Sequence, residues 1–574
     1  MKFRWDHPSP DQKLASQLEK DFQISPLLAQ CLINRGIAEP EGIEDFLRPR
    51  LKKLSDPFLL PQMLIAIERL LKARELGECM VIYGDYDADG VTSTALLMEV
   101  LGALGWKVSC FIPQRLDEGY GLSKYGVGKC LEEHEASLIL AVDCGSSSGE
   151  VIRDLKKVGI DVIVVDHHQI EGNPDSAVAV INPQINGSDN TEFQELCSVG
   201  LAFKLAHALV RKCRADGLVF ADCYDLKPLL DLVALGTIAD LVPLIRENRI
   251  LVKAGLHRLN MTQRPGLVAL FEQAQIKGEI GIYQVGFKLG PRLNAAGRLT
   301  DARTAVELLL SEDMENAMDI ARILEDKNRE RQQIEREIVI KVEERVSAGF
   351  NPETDYVIVE GNHDWHIGVV GIVASRIMKK FCRPTIIIGG EGAEKIQWRG
   401  SGRSIEGFDL AAAMRECEGL LISHGGHAMA AGMTIAPKKL DLFRTQLDNL
   451  CRQQIGKDPP KPRLKLDAEV SLTDLSLESL AELEMLEPTG QRNPPVNLSA
   501  RRLTHKRPPL RIGKDRRHVK MWVTDKKVTI EAVMWGVEDS PVPEGEFDLA
   551  FLPQTNDYNG RRSVQLRVLD WKPS

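Results

Sequence analysis

The 574-residue chain has no stretch apolar enough to cross a bilayer. A span needs about 18 or more consecutive apolar residues, and the longest runs here are as short as LILAV, from Leu138 to Val142. No apolar core follows the basic residues of the opening segment MKFRWDHPSP, so no secretory signal is expected and the chain reads as cytoplasmic. Paired cysteines are missing as well. Eleven cysteines are scattered without a CxxC, and Cys110, Cys144 and Cys382 adjoin apolar, strand-like stretches. This excludes a disulfide framework or a zinc frame and predicts reduced core thiols. Internal repeats and low-complexity tracts are also absent.

With 43% hydrophobic residues the chain suits several globular units, three to five by length. Its net charge is −9, which by itself argues against a polyanion partner. Charge acts locally, however, and the run from Arg501 to Lys520 carries nine Lys and Arg against one Asp. An acidic body with one basic arm is compatible with a polyanion touching one face.

From Glu78 onward β-branched runs alternate with helix-like stretches: CMVIYG, VTSTALLMEVLGALG, KVSCFIP, SLILAVDCG, DVIVVDHH. That alternation predicts a parallel α/β sheet. Met314 to Val346 reads as one helix of about 50 Å. Its middle, EDKNRERQQ, is polar on every face and suits a solvent-bridging connector between two domains. A second α/β region (DYVIVEGN, RPTIIIGG) runs to Pro459, and KDPPKPR marks a further boundary. Beyond it, RLKLDAEV, VKMWVTD, VTIEAVMW, FDLAFLP and SVQLRVLDW make five strands, the number in an OB-type β-barrel.

Asp85, Asp87 and Asp89 stand at i, i+2 and i+4 directly after the strand CMVIYG. Three close acids repel one another unless cations sit among them. A calcium loop is excluded, because the position of its bidentate Glu is Leu96 and a strand precedes it. A solvated acidic loop remains the plain alternative for this motif taken alone. Asp143 ends a second strand, and Asp166, His167 and His168 end a third. In an open parallel sheet such strand ends line one crevice. Oxygen-rich ligands with one or two imidazoles suit magnesium or manganese better than zinc, and Asp166 can orient an imidazole through its second nitrogen. Asp240 supplies a further acid, with Asp231 a rival nine residues earlier and helix capping the plain alternative for both.

GDYDADGVTSTA, FIPQRLDEGYGLS, VDCG, VVDHH, LGTIAD, GPRLNAAGR, WHIGVVGIVASR, SGRS and SHGGHAMAAG follow in this order over nearly the whole chain after Leu60. Together they resemble the DHH phosphoesterase superfamily, and within it the 5′ to 3′ exonucleases of single-stranded DNA. The resemblance implies a DHH catalytic domain over residues 76–312, a connecting helix over 313–348 and a DHH-associated substrate-binding domain over 349–459. It also implies an OB-fold domain over 460–574, behind an N-terminal helical segment, 1–75. It further implies two divalent ions, magnesium or manganese, held by Asp85, Asp87, Asp89, Asp143, His167 and Asp240, with His168 and Asp166 catalytic beside them. Relatives that cleave pyrophosphate carry a His where this chain has Tyr83, which leaves open the acid that replaces it.

Arg115, Arg298, Arg399, Ser401 and Arg403 are expected to receive DNA phosphates, His424 and His427 to meet the substrate where flanking Gly and Ala allow close approach, and Arg516 and Arg517 with Trp522 to form a basic, base-stacking groove in the barrel. The plain alternatives are a loop for the Ser/Gly stretch, a surface ion pair for Arg298 and core packing for the histidines and Trp522. Single-stranded DNA, a single-strand-binding protein and a helicase are the expected partners of a monomer acting in DNA repair, recombination and mismatch repair. Two competitors are a phosphoesterase for small nucleotides and a non-catalytic DNA scaffold. The 115 residues from Pro460 onward argue against the first, and the full ligand set against the second.

Overall fold

Alternate residues of the first sheet enter opposite cores. Met80, Ile82, Leu138, Leu140, Ile163 and Val165 pack on one face, while Val81, Tyr83, Ile139, Ala141, Val162 and Val164 pack on the other. Burial on both faces explains why these strands read as continuous β-branched runs. The strand order is Lys107–Phe111, Cys79–Tyr83, Leu138–Val142, Asp161–Val165, Ala179–Ile181, all parallel. The chain direction across the sheet reverses between Cys79–Tyr83 and Leu138–Val142, the position where open α/β sheets bind ligands at their carboxyl ends. The computed structural model describes residues 3–574 apart from 10, 115–120, 170–173, 186–191, 300, 391, 393–395, 457–460, 514 and 538–540.

Helix Met314–Gly349 runs 36 residues, about 54 Å. Ala317, Ala321 and Leu324 sit in the core of the first domain, and Ile338, Val339, Val342 and Val346 in that of the second. Its middle differs from the solvent-exposed connector expected from sequence. Glu325, Asn328 and Arg331 are buried along one face at three-residue spacing. Arg292 and Arg329 pair with Glu325 at 2.7 and 2.8 Å, and Arg331 pairs with Glu335 at 2.9 Å and bonds Asn328 at 3.1 Å. Polar residues can be buried there because their charges are matched.

The second domain is a mixed five-stranded sheet, ordered Leu421–His427, Ala430–Ile435, Trp398–Arg403, Thr385–Gly389, Ile358–Asn362, with helix Ile367–Phe381 across it. In the third, Leu498–Ile512 pairs with His518–Thr524 on one side and Phe547–Tyr558 on the other. With Thr529–Met534 and Arg561–Pro573 this closes a five-stranded barrel. Here too the structure departs from the expectation. RLKLDAEV supplies only the short strands Arg463–Lys465 and Ala468–Glu469, and the fifth barrel strand is the basic run itself. Pro508 and Pro509 make that run look broken in sequence, but they fall where the register shifts between Arg507 and Leu510, a bulge that tolerates missing N–H donors.

The N-terminal segment divides between two bodies. Leu18, Leu28, Leu32, Ile43 and Phe46 share a core with the barrel, whereas Leu60, Met63, Ile67 and Leu70 pack into the first domain. Buried Arg249 ties these parts together: its guanidinium donates to the carbonyls of Phe46, Met485, Leu486, Glu487 and Pro488 at 2.7–3.2 Å. All eleven cysteines are free.

Candidate active site

Strand ends and two helix termini build one acidic crevice. Asp87 caps helix Ala88–Ala103, its Oδ1 accepting from the Asp89 and Gly90 amides at 2.9 and 3.2 Å. Gly90 is required there, since a Cβ would meet the Asp85 carbonyl at 2.5 Å. Asp89, one residue into the helix, points across to the start of Ser198–Ala215 and accepts from the Ser198 and Val199 amides at 2.7 and 2.8 Å. Asp143 leaves its strand with φ +63°, a left-handed conformation that Asp tolerates, and accepts from Ser198 Oγ at 2.8 Å. His167 Nε2 lies 3.5 Å from Asp143, 3.6 Å from Asp240 and 3.8 Å from Asp89.

Asp240, at the end of helix Leu230–Ala239, thus joins the crevice. Asp231, at the opposite end, instead accepts from Thr262 Oγ1 at 2.8 Å and faces Arg264 at 3.5 Å. Among the described residues three ligand sets each fall within 4.8 Å: Asp85, Asp87 and Asp143; Asp143, His167 and His168; Asp89, Cys197 and Asp240. Asp143 belongs to two of them. Tyr83 is buried in the sheet with its hydroxyl donating to the Gly121 carbonyl, so Asp85 is the acid placed beside Asp87 and Asp143.

Electrostatics test whether cations fit. Burial, then repulsion from neighbouring aspartates, pushes Asp89, Asp143 and Asp240 above the usual carboxylate range. The ionised cluster therefore needs positive charge among its members, and carboxylates with one or two imidazoles fit magnesium or manganese. Burial, then His168, pushes His167 down to about 4, leaving it neutral and free to ligate. Cys197 is driven the other way: burial raises its thiol well above the ordinary value, and Sγ donates to Thr237 Oγ1 at 3.5 Å. It is a packing group in this wall.

His168 Nδ1 donates to Asp166 Oδ1 at 2.7 Å. Burial alone would lower His168, but the bond and charge of Asp166 raise it. For Asp166 burial works upward, and the bond and charge of His168, with Ser146, hold it below the usual range. Asn182 Nδ2 donates to Ser146 Oγ and to the His168 carbonyl, both at 2.9 Å, and Asn294 Oδ1 accepts from the Ala88 amide at 2.7 Å. Sequence reasoning missed Asn182, Ser146, Ser198 and Asn294. Asn182 follows the strand Ala179–Ile181, the same signal that marked Asp143 and Asp166.

The second domain closes one side. Arg298 Nη1 donates to the Gly368 carbonyl at 3.1 Å, across the domain boundary. Ser401 and Arg403 lie under the same helix, where a Cβ on Gly371 would meet them at 3.0 and 3.3 Å, and Arg403 bonds Ser401 Oγ at 2.9 Å. Arg399, Ser401 and His424 line a cleft of about 590 Å³ with Gly368. His427 is exposed at the hairpin end and is absent from that lining. Arg115 lies outside the described residues. On the barrel, Trp522 alternates with buried Met521 and Val523, so it faces outward rather than into the core. Arg507 covers its ring at 3.2 Å and Lys520 stands 5.6 Å away. Arg516 and Arg517 are exposed in the turn before His518–Thr524.

Fold and site together define a hydrolase of the DHH type with an associated second domain and a nucleic-acid-type barrel. Residues 79–237 match the DHH family, N-terminal domain, 354–453 the DHHA1 domain and 466–570 the RecJ OB domain. The single-stranded-DNA-specific exonuclease RecJ of Bacillus subtilis is 35% identical over 99% of this chain and 71% of that protein. That of Escherichia coli K12 is 33% identical over 95% and 96%. The chain belongs to the RecJ family of single-stranded-DNA-specific exonucleases. Its fold superposes on crystal structures of RecJ from Thermus thermophilus with Mn2+ (TM-score 0.84, 29% identity, 100% of this chain and 80% of that one) and with Mg2+ (TM-score 0.79, 28%, 100% and 79%). No helix among the described residues is long and apolar enough to cross a membrane.

Proposed function

We propose that the enzyme shortens single-stranded DNA from its 5′ end and releases 5′-mononucleotides, using two divalent ions, magnesium or manganese. Asp85, Asp87 and Asp143 would hold one; Asp89, Asp143, His167 and Asp240 the other. The observation that carries this reading is the position of Asp143, which falls in one ligand set with Asp85 and Asp87 and also lies 3.5 Å from His167 Nε2, itself facing Asp240 and Asp89 at 3.6 and 3.8 Å. Such an ion pair supplies Lewis acidity to water and neutralises charge at the phosphate.

The chain's own groups do the rest. Asp166 fixes the His168 ring and its tautomer, leaving Nε2 to hold a proton against a phosphate oxygen. The Ser198 and Val199 amides keep Asp89 aimed into the crevice. Polarity requires a group that reads the strand end, because the metal chemistry has no direction of its own. Arg298 bonds the Gly368 carbonyl where the two domains touch, and Ser401 and Arg403 lie against Gly371 in the next turn of the same helix, so a 5′-phosphate bound between them would receive charge-assisted bonds. In this reading the enzyme works as a monomer in repair and recombination, supplied with single strands by a helicase alongside a single-strand-binding protein.

The test is hydrolysis with manganese of 5′-labelled and 3′-labelled strands, each with a 5′-phosphate or 5′-hydroxyl. Arg403→Ala should lose about ten- to a hundredfold on phosphorylated ends, matching about 1.5 to 3 kcal/mol for a charge-assisted bond, and much less on hydroxyl ends. Equal losses on both ends, or digestion from the 3′ end by the wild type, would refute the end-reading role.

A further inference from the structure

The two helices that carry Asp89 and Asp240 to the crevice are joined again at their other ends. Asp89 is the second residue of helix Ala88–Ala103, and Glu99 follows ten positions later, about 15 Å along the axis. Asp240 closes helix Leu230–Ala239, and Asp231 lies nine positions before it, about 13 Å away. Asp89 and Asp240 meet at one end of this antiparallel pair, and Glu99 and Asp231 flank a single arginine at the other. Arg264 Nη1 is 2.7 Å from Glu99 Oε2, and its Nε is 3.5 Å from Asp231 Oδ2. Nη1 also donates to the Leu309 carbonyl at 3.2 Å. Thr262 Oγ1 donates to Asp231 Oδ2 at 2.8 Å and accepts from the Arg264 amide at 3.3 Å, which fixes the loop ahead of helix Pro265–Gln273.

Stability alone does not account for this triad. The side chains of Asp231 and Arg264 are only 3% and 13% exposed, and replacing a buried ion pair by apolar groups is often neutral for stability. The outer side of the triad opens into a cleft of about 640 Å³ lined by Met98, Pro228, Arg258 and Leu310. Close packing therefore does little to hold the helix ends there, and the task falls to the bonds. Nearer the crevice the helices touch where Gly236 backs onto Thr92. A Cβ on Gly236 would meet Thr92 Oγ1 at 2.2 Å and Asp89 Oδ1 at 3.3 Å. From this contact Asp89 and Asp240 lie three and four positions to one side, and Glu99 and Asp231 seven and five to the other. A change of about 1 Å in spacing at the triad thus moves the ligand ends by about half as much, beyond the ~0.2 Å within which metal–ligand distances are held.

We propose that Arg264 is a positioning residue: by bridging Glu99 and Asp231 it sets the separation of Asp89 and Asp240, and with it the affinity for the ion that these two acids share with Asp143 and His167. Asp231, the helix-end acid that no metal uses, then serves the same site from the opposite end. The inference rests on the two-ion reading of the crevice.

The experiment compares full-length wild type with Arg264→Met and Arg264→Lys. In the metal-free proteins amide hydrogen exchange is followed at Ser198 and Val199, whose N–H groups are held by Asp89. Both variants should lose protection there, while the barrel amides of Met521 and Val523 keep theirs. Calorimetric titration with Mn2+ should show one ion bound about tenfold more weakly and the ion of Asp85 and Asp87 unchanged. Lysine keeps the charge but lacks the fork that spans two carboxylates, so it should not rescue. Loss of protection confined to groups touching Arg264, equal weakening of both ions, or wild-type behaviour of Arg264→Lys would each overturn the lever. Should Arg264→Met fail to fold, Glu99→Gln loosens only the helix of Asp89 and must lower protection at Ser198 and Val199; unchanged protection would overturn the proposal. A wild-type titration that registers a single ion would refute the two-ion reading instead, and exchange at Ser198 and Val199 would still decide the lever.

Discussion

Stripping divalent ions from this enzyme should make its stability fall as pH rises. Asp89, Asp143 and Asp240 all have carboxyls raised by burial and then by neighbouring aspartates. Between about pH 4 and 7 the folded metal-free protein therefore holds protons that the unfolded chain has released, so the slope of stability against pH is negative. Asp89 alone, pushed from 3.8 up to about 7, corresponds to ~4 kcal/mol against the folded state once fully ionised. His168 acts in the same direction: its raised pKa stabilises below its ordinary value of 6.5 and is lost as pH climbs through the folded value. His167, pushed down to about 4, works against them: below its ordinary value of 6.5 the unfolded chain takes up a proton that the folded protein does not, but this is one group against three raised carboxyls, so the net slope stays negative. Thermal melting of the metal-free protein from about pH 5 to pH 8 should show the decline, and manganese should flatten or reverse it. Calorimetric titration with Mn2+ in buffers of differing ionisation enthalpy, near about pH 6, should register release of at least about one proton. Metal-free stability that rises with pH, or binding without proton release, would refute the electrostatic account of the crevice.

Asp87→Asn keeps an oxygen to cap the Asp89 and Gly90 amides but removes the charge, so hydrolysis should fall by more than about a hundredfold with melting unchanged. Turnover above about a tenth of wild type would remove Asp87 from the ligand set. Arg516→Glu/Arg517→Glu should flatten the dependence of strand affinity on salt by about 0.7 in log–log slope for each phosphate that the barrel ceases to neutralise. An unchanged slope would assign the barrel face another role. Arg249→Met leaves five buried carbonyls without their donor, a loss on the order of 3 kcal/mol or more. Limited proteolysis should then release the barrel sooner than from wild type, and equal protection would show that the clamp is dispensable.

How far the site could be read before folding differs from residue to residue. Asp85, Asp143 and Asp166 follow apolar runs that can only be buried strands, and parallel strands must end on one edge, so their convergence is legible. Residue pattern alone does not separate Asp240 from its rival Asp231, because both flank the same apolar helix, and only the family resemblance favours Asp240. The direction of that helix decides between them, carrying Asp240 to His167 and Asp231 to Arg264. The basic run concealed a strand because Pro508 and Pro509 read as a break, and a register shift against His518–Thr524 is invisible in one strand taken alone.

Local periodicity, strand-end acids and the order of motifs were therefore determined by the sequence itself, since each depends on residues within a few positions of one another. Pairings between distant segments were determined by the closed fold. They include Asp89 with the Ser198 amide, Arg292 with buried Glu325, and Phe46 with the barrel core. These pairings join residues tens to hundreds of positions apart. Only the stacking of sheet, helix and barrel around shared apolar cores sets which of many similar side chains come within bonding distance.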